Sequence, residues 1–397
     1  MPIAFRANVC VNQDAGTAEQ DWPSIAVDRS GTLHVLWADD RSGHFDIWYT
    51  RSEDGGMVWS EENKVSDDIV ADADSFEPDV VVDSAGNLHT VWCDNRNGDY
   101  DIYYSHLISG TTTWSPNVRV DDGPAGVSQL RATLAVAQSG TIHAVWADWR
   151  AGHRDVRHAT SDDHGATWSP SVKVNDDGGN SQQTNPRIGL DRTGHAHAVW
   201  GDTRNGNEDI YAAKRDASTG TWSPNVKVND DLGEASQYMP DVAVHGSGTA
   251  HAVWFDYRNW ESDIYHARLI SGTTTWTQNT IVNNPAVANK QRARVAAHVS
   301  GAVHTVWYDR RYGSYDIFYA RLDGGGSTWG DDVKVNDDTG NAKQSGPSLA
   351  LGKENLPYAV WMDERGGDVD IFFSRGVELS RQIYCPVVLR SPWNGEK

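Results

Sequence analysis

The chain has little that would suit it to phosphate-rich partners, to a bilayer or to a disulfide scaffold. Lys and Arg number 34 against 55 Asp and Glu among 397 residues, a formal charge of −21. Nucleic acid and anionic membrane surfaces are gripped through clustered basic side chains, so both are poor partners for this protein. Only 38% of residues are hydrophobic, and no apolar run approaches the roughly 20 residues needed to cross a bilayer, so no membrane insertion is expected. Three cysteines, Cys10, Cys93 and Cys385, are too few and too scattered for a disulfide framework or a zinc site, which leaves a single Cys10 to Cys385 bridge open. The amino-terminal MPIAFRANV lacks the charged segment and apolar core of a secretion signal. Helical periodicity is absent throughout, whereas 37 glycines and 18 tryptophans favour strands joined by tight turns.

What the chain does have is a repeat. The pattern W-x-D-x-R, mostly continuing x-G-x-x-D-I and an aromatic, starts at Trp37, Trp92, Trp146, Trp200, Trp254, Trp307 and Trp361. The spacing is about 54 residues, with no linker or change of composition between copies, so one domain is expected over residues 1–375. Each unit holds four apolar runs separated by Gly and Asx turns; in the first these are 23–28, 32–38, 45–51 and 59–66. Adjacent apolar residues such as Ile25, Ala26 and Val27 imply sheets buried on both faces. Seven four-stranded antiparallel sheets, each covered by its neighbours, describe an all-β, seven-bladed β-propeller. Residues 7–14, ANVCVNQD, match the fourth-strand text PNVKVNDD at 224–231, and the seventh unit lacks that text. The amino-terminal strand, residues 4–12, is therefore expected to complete blade seven, leaving 376–397 as a tail.

SEDGGMVW at 52–59 and SDDHGATW at 161–168 fit the S-x-D-x-G-x-x-W Asp-box, and GTTTW at 110–114 and 272–276, GTW at 220–222 and GGSTW at 325–329 are degenerate copies in the same phase. On these residues the chain resembles the Asp-box, or BNR-repeat, sialidase-like propellers. The resemblance implies that Asp54 and Asp163 fix hairpins on the face away from the active site, and that the protein acts outside the cell or at its surface. It also implies an arginine triad, a tyrosine nucleophile with a glutamate partner and an aspartate acid/base. Those enzymes generally have six blades, and the only echo of their early arginine motif is Phe5, Arg6, Ala7 and Asn8, with Arg6 falling on an outer closing strand.

Features repeated seven times serve the blade. Asp39, Arg41 and Asp46 with their counterparts are read as a loop clamp, or else as seven equivalent shallow sugar pockets. The strand-two histidines, His34, His89, His143, His197, His251 and His304, with Tyr358 in seventh place, are read as core residues, since one per blade cannot converge on an ion. Acidic corners such as Asp67 and Asp68 or Asp230 and Asp231 are read as turn-fixing, and neither a metal nor a cofactor is expected.

A unique site is sought where the repeats differ. Around the proline that opens strand one, replaced by Ala132 and Ala293 in blades three and six, stand Trp22, Glu77, Arg131, Asn185, Met239, Arg292 and Gly346 before it, and Ser24, Asp79, Thr133, Arg187, Asp241, Arg294 and Ser348 after it. Propeller connectivity puts these beside the central channel. The candidate ligand-binding set is Glu77, Asp79, Arg131, Arg187, Asp241, Arg292 and Arg294, with Tyr238, Trp149 and Tyr257 as aromatic neighbours. Arginine forks suit a carboxylate-bearing sugar, and carboxylates suit acid/base work; the alternative is that these charges pair and plug the channel. The reading is a monomeric, non-catalytic propeller that binds a glycan or a protein surface, with a sialidase-like hydrolase or polysaccharide lyase acting on an acidic sugar as the alternative.

Overall fold

The computed structural model describes residues 2–379 apart from 15, 69, 71, 72 and 285–287; the tail beyond 379, and with it the Cys10 to Cys385 pairing, lies outside them. Seven antiparallel sheets form the predicted ring, six of four strands and the last with its fourth strand in two pieces. The innermost strands, which define blades one to seven, are Gln20–Val27, Ser75–Val82, Gln129–Val136, Gln183–Leu190, Gln237–Val244, Lys290–Ala297 and Gln344–Leu351. Blade one continues through Leu33–Asp39 and Asp46–Ser52 to a short outer strand, Asn63–Lys64. Each strand thus falls within a few residues of its apolar run.

Blade seven closes the ring with both chain ends. Its third strand, Asp370–Glu378, runs past position 375 and pairs with two amino-terminal pieces, Ile3–Phe5 and Val9–Cys10.

The core lies between the blades. The second strand of blade one is buried along its whole length, and the seven tryptophans of the repeat are each fully inaccessible. At roughly 25 cal/mol per Å² of apolar surface, such aromatics are the main source of cohesion between sheets. Trp37 Nε1 donates to Asp39 Oδ2 at 2.9 Å, and Asp39 receives the Arg41 backbone NH at 3.0 Å and Nε at 2.8 Å. The same clamp recurs at Asp94, Asp148 and Asp309. These residues are consumed by the blade.

The histidines are core residues too. His34 Nδ1 meets the Tyr49 hydroxyl at 2.9 Å and His143 Nδ1 meets His158 Nε2 at 3.1 Å, both buried. The acidic corners do more than fix turns. Asp176 and Asn225 exchange backbone-to-side-chain bonds of 2.7 and 2.8 Å across neighbouring blades, and Arg204 Nη1 joins Asp176 at 2.8 Å.

One irregularity recurs in every blade. Between Asp21 and Ser24 the innermost strand has one residue more than its partner, a β-bulge, and the equivalent shift occurs in the other six. The residue before the proline position is left-handed in each: Trp22, Glu77, Arg131, Asn185, Met239 and Arg292 have φ between 48° and 61°, and Gly346 has 59°. Only glycine takes this conformation freely, so six blades accept strain in order to present a side chain there.

Candidate functional site

The bulges ring one end of the central channel. A cavity of about 250 Å³ is lined by the residues on both sides of each strand-one proline position, and it brings together Glu77, Asp79, Arg131, Arg187, Asp241, Arg292 and Arg294. Trp149, Tyr238 and Tyr257 do not line it. Tyr238 and Tyr257 sit on blade five in a shallow depression of about 540 Å³ with Ser236 and Phe255, and Trp149 lies in the strand-two to strand-three loop of blade three, its ring 5.2 Å from the Arg154 guanidinium.

Two of the seven channel charges have structural duties. Asp79 Oδ2 accepts the Leu134 NH at 3.0 Å and Asp241 Oδ2 accepts the Val295 NH at 2.8 Å, each in the next blade. Ser24 and Ser348 hydroxyls accept the Val80 and Ile25 amides in the same way at 3.2 and 3.3 Å, the latter across the closure. One acceptor after the proline thus ties a blade to its neighbour. Arginine has no acceptor, so Arg187 and Arg294 give up that tie for a guanidinium in the channel.

The four arginines are not equally satisfied. Arg131 Nη1 pairs with Glu77 Oε1. Arg187 lies between two carboxylates, 3.8 Å from Asp79 Oδ1 and 3.9 Å from Asp241 Oδ1. Arg292 and Arg294 have no ion pair and donate no side-chain hydrogen bond among the described residues. Burial and the Arg187 charge push the Arg294 guanidinium down to about 9, and burial together with Arg131 lowers Arg292. Four arginines against three carboxylates leave positive charge in the channel of a protein with net charge −21. An anion entering here gains two undercompensated guanidiniums, in a place where low dielectric strengthens the attraction.

The rim adds groups the sequence reading passed over. Asp21, just before the blade-one bulge, has its carboxyl raised to about 6 by burial and by Glu19, against the opposing pull of Lys343 and Arg292. Tyr308 donates to Gln291 Oε1 at 2.9 Å, and its hydroxyl is raised by burial although Arg292 pulls it down. The signal was available: the position holding Asp21 reads Phe76, Leu130, Thr184, Tyr238, Gln291 and Ser345 in the other blades, a departure as marked as those beside it.

One cluster among the described residues has metal-ligand spacing, His44, Asp46 and Asp68. The Lys64 ammonium stands 2.6 Å from Asp46 Oδ1 and 3.8 Å from Asp68 Oδ1 and provides the positive charge there.

No protein-family model matches this chain, and no curated protein matches it in sequence. Solved structures share its fold. A crystal structure of the polysaccharide lyase Uly1 superposes with a TM-score of 0.59 at 12% identity, covering 90% of this chain and 89% of that one. A GH93 α-L-arabinofuranosidase of Fusarium graminearum, in complex with arabinobiose, gives 0.54 at 14% identity over 94% and 97%. The Hadza microbial sialidase Hz136 gives 0.51 at 15% over 72% of this chain and 63% of its own. Identities this low establish a common architecture.

Proposed function

We propose that this propeller binds an anionic carbohydrate at the mouth of its central channel, outside the cell or at its surface. The observation that carries the reading is the pair Arg292 and Arg294. Both reach the channel without a carboxylate partner, and Arg292 is held there in a strained left-handed conformation. Guanidinium forks are matched to the two oxygens of a carboxylate. Glu77, Asp79 and Asp241 add acceptors for hydroxyl groups, and a cavity of about 250 Å³ accommodates a sugar unit rather than a folded partner. The similarly folded polysaccharide lyase and arabinofuranosidase both act on carbohydrate, which favours a sugar as the anion's carrier.

The test is an array of acidic and neutral glycans probed with the wild-type protein, Arg292→Ala and Arg294→Ala. Retention of acidic glycans alone, reduced at least tenfold in either variant, is expected, a loss in keeping with about 1.4 kcal/mol or more for a charged hydrogen bond. Retention unaffected by both substitutions defeats the reading.

One observation favours turnover in addition to binding. The Asp21 carboxyl, raised to about 6 by burial and by Glu19 and within electrostatic reach of the channel's Arg292, is poised to give a proton near neutral pH. If the site is catalytic, wild-type protein incubated with the retained glycan releases reducing ends or unsaturated sugars, and Asp21→Asn abolishes this while leaving retention intact. Absence of products from the wild-type protein leaves a binding propeller.

A further inference from the structure

Each strand-two to strand-three loop has a left-handed residue four places after the clamp aspartate. In six blades it is glycine: Gly43, Gly98, Gly152, Gly206, Gly313 and Gly367, with φ from 79° to 105°. In blade five it is Trp260, with φ 72° and 96% of its surface exposed. A bulky residue in this conformation is strained, and an indole left in water gains nothing from burial. Neither the turn nor the core requires a tryptophan there.

Blade five carries apolar side chains outward from the channel, and its strand-two to strand-three loop ends in Trp260. Met239, the left-handed residue of blade five, lines the cavity. Its neighbour Tyr238 packs edge-on against Tyr257, ring centres 6.0 Å apart, and both border the open depression on this blade. The Trp260 backbone NH donates to the Tyr257 carbonyl at 3.0 Å, the bond that closes this turn and sets the loop tip three residues on from Tyr257. Aromatic faces of this kind stack on the C–H faces of pyranose rings while their edges remain wet.

Resting on the anionic-carbohydrate reading, we infer that blade five holds the continuation of the ligand: the bound glycan is a polymer whose acidic unit sits at the arginines and whose following units run outward over Tyr238 and Tyr257 to stack on Trp260. The protein thereby discriminates by chain length as well as by charge.

The experiment uses a panel of uronate oligosaccharides graded in length, namely oligogalacturonates, oligoalginates and hyaluronan fragments, titrated against the full chain, Trp260→Gly and Arg292→Ala. Trp260→Gly installs the residue that six blades already carry, so its urea midpoint is expected to equal or exceed that of the wild type. Affinity in the wild type rises with length, Trp260→Gly loses about three- to tenfold for the long members only, and Arg292→Ala weakens all lengths. Length dependence that is equal in wild type and Trp260→Gly, or absent from both, overturns the inference and spares the arginine reading. If no uronate of any length binds, the inference falls, and the arginine reading stands or falls on the acidic-glycan array.

Discussion

At the scale of the residue, Asp79 and Asp241 show how one side chain serves fold and site together. Each carboxylate has one oxygen on a neighbouring blade's amide and the other toward Arg187. Asparagine retains the acceptor and drops the charge. Asp241→Asn is therefore expected to unfold within about 1 kcal/mol of the wild type in urea, whereas Asp241→Ala, which strands the Val295 amide, costs about 1–3 kcal/mol. The buried histidines make a second residue-scale prediction. Burial, the second ring and Arg215 hold His158 well below its usual range, and burial and Arg215 push His143 down to about 4. The unfolded chain takes up these protons near pH 6.5 and the folded chain does not. Stability is accordingly full above about 6.5 and falls as pH drops from there toward 4. His158→Tyr copies the tyrosine found at this place in blades one, two and six, where Tyr49, Tyr104 and Tyr319 meet the strand-two histidine. Its urea midpoint is expected to fall less steeply with acid, by about one proton's worth of slope; equal slopes refute this.

At the scale of the element, the blades act as an internal alignment, and blade five has moved one of its parts. In blades one, three, four and six the carboxylate opening strand three is paired with an outer-strand lysine, as Lys64 to Asp46 at 2.6 Å or Lys227 to Asp209 at 2.7 Å. Blade five has Ile281 at that place, and Lys290, from the position where most blades carry glutamine, reaches Asp263 at 3.0 Å. Lys290→Gln removes the cation from a largely buried pair and is expected to cost about 3 kcal/mol. Adding Ile281→Lys should return most of it, and a double mutant no better than the single would show the two positions to be independent. The same periodicity made the fold legible, because seven tryptophans at a fixed spacing and an orphan fourth-strand text specify ring, blade count and closure. The site was legible only in part. Departures around the strand-one proline pointed to the channel charges, but which arginines lack partners depends on contacts across blades. The left-handed bulge was hidden because six of its seven residues are not glycine, and the structural duty of Asp79 and Asp241 depends on an amide some 54 positions away.

At the scale of the whole molecule, the ring is closed by the same latch that joins its interior blades. Asn8 exchanges bonds of 2.7 and 2.9 Å with Asp337, and Arg365 Nη1 reaches Asp337 at 2.8 Å; in the same way Asn117 exchanges bonds of 2.7 and 2.9 Å with Asp67, and Arg96 Nη1 reaches Asp67 at 2.8 Å. Interior blades are also joined by the chain itself, and the closure is not. Asn8→Ala is therefore expected to speed unfolding in urea more than Asn117→Ala, although each removes the same bonds; equal rates would mean that the ring does not open first at its seam. That seam also sets a timetable. Residues 3–10 are synthesised before every other strand of the ring, and their partner strand, Asp370–Glu378, after every other strand. At about 5–20 residues per second the opening segment waits roughly twenty to seventy seconds with its hydrogen-bonding edge bare. A nascent chain of this protein is for that interval an unsealed stack, open to chaperones and to the matching edge of another copy.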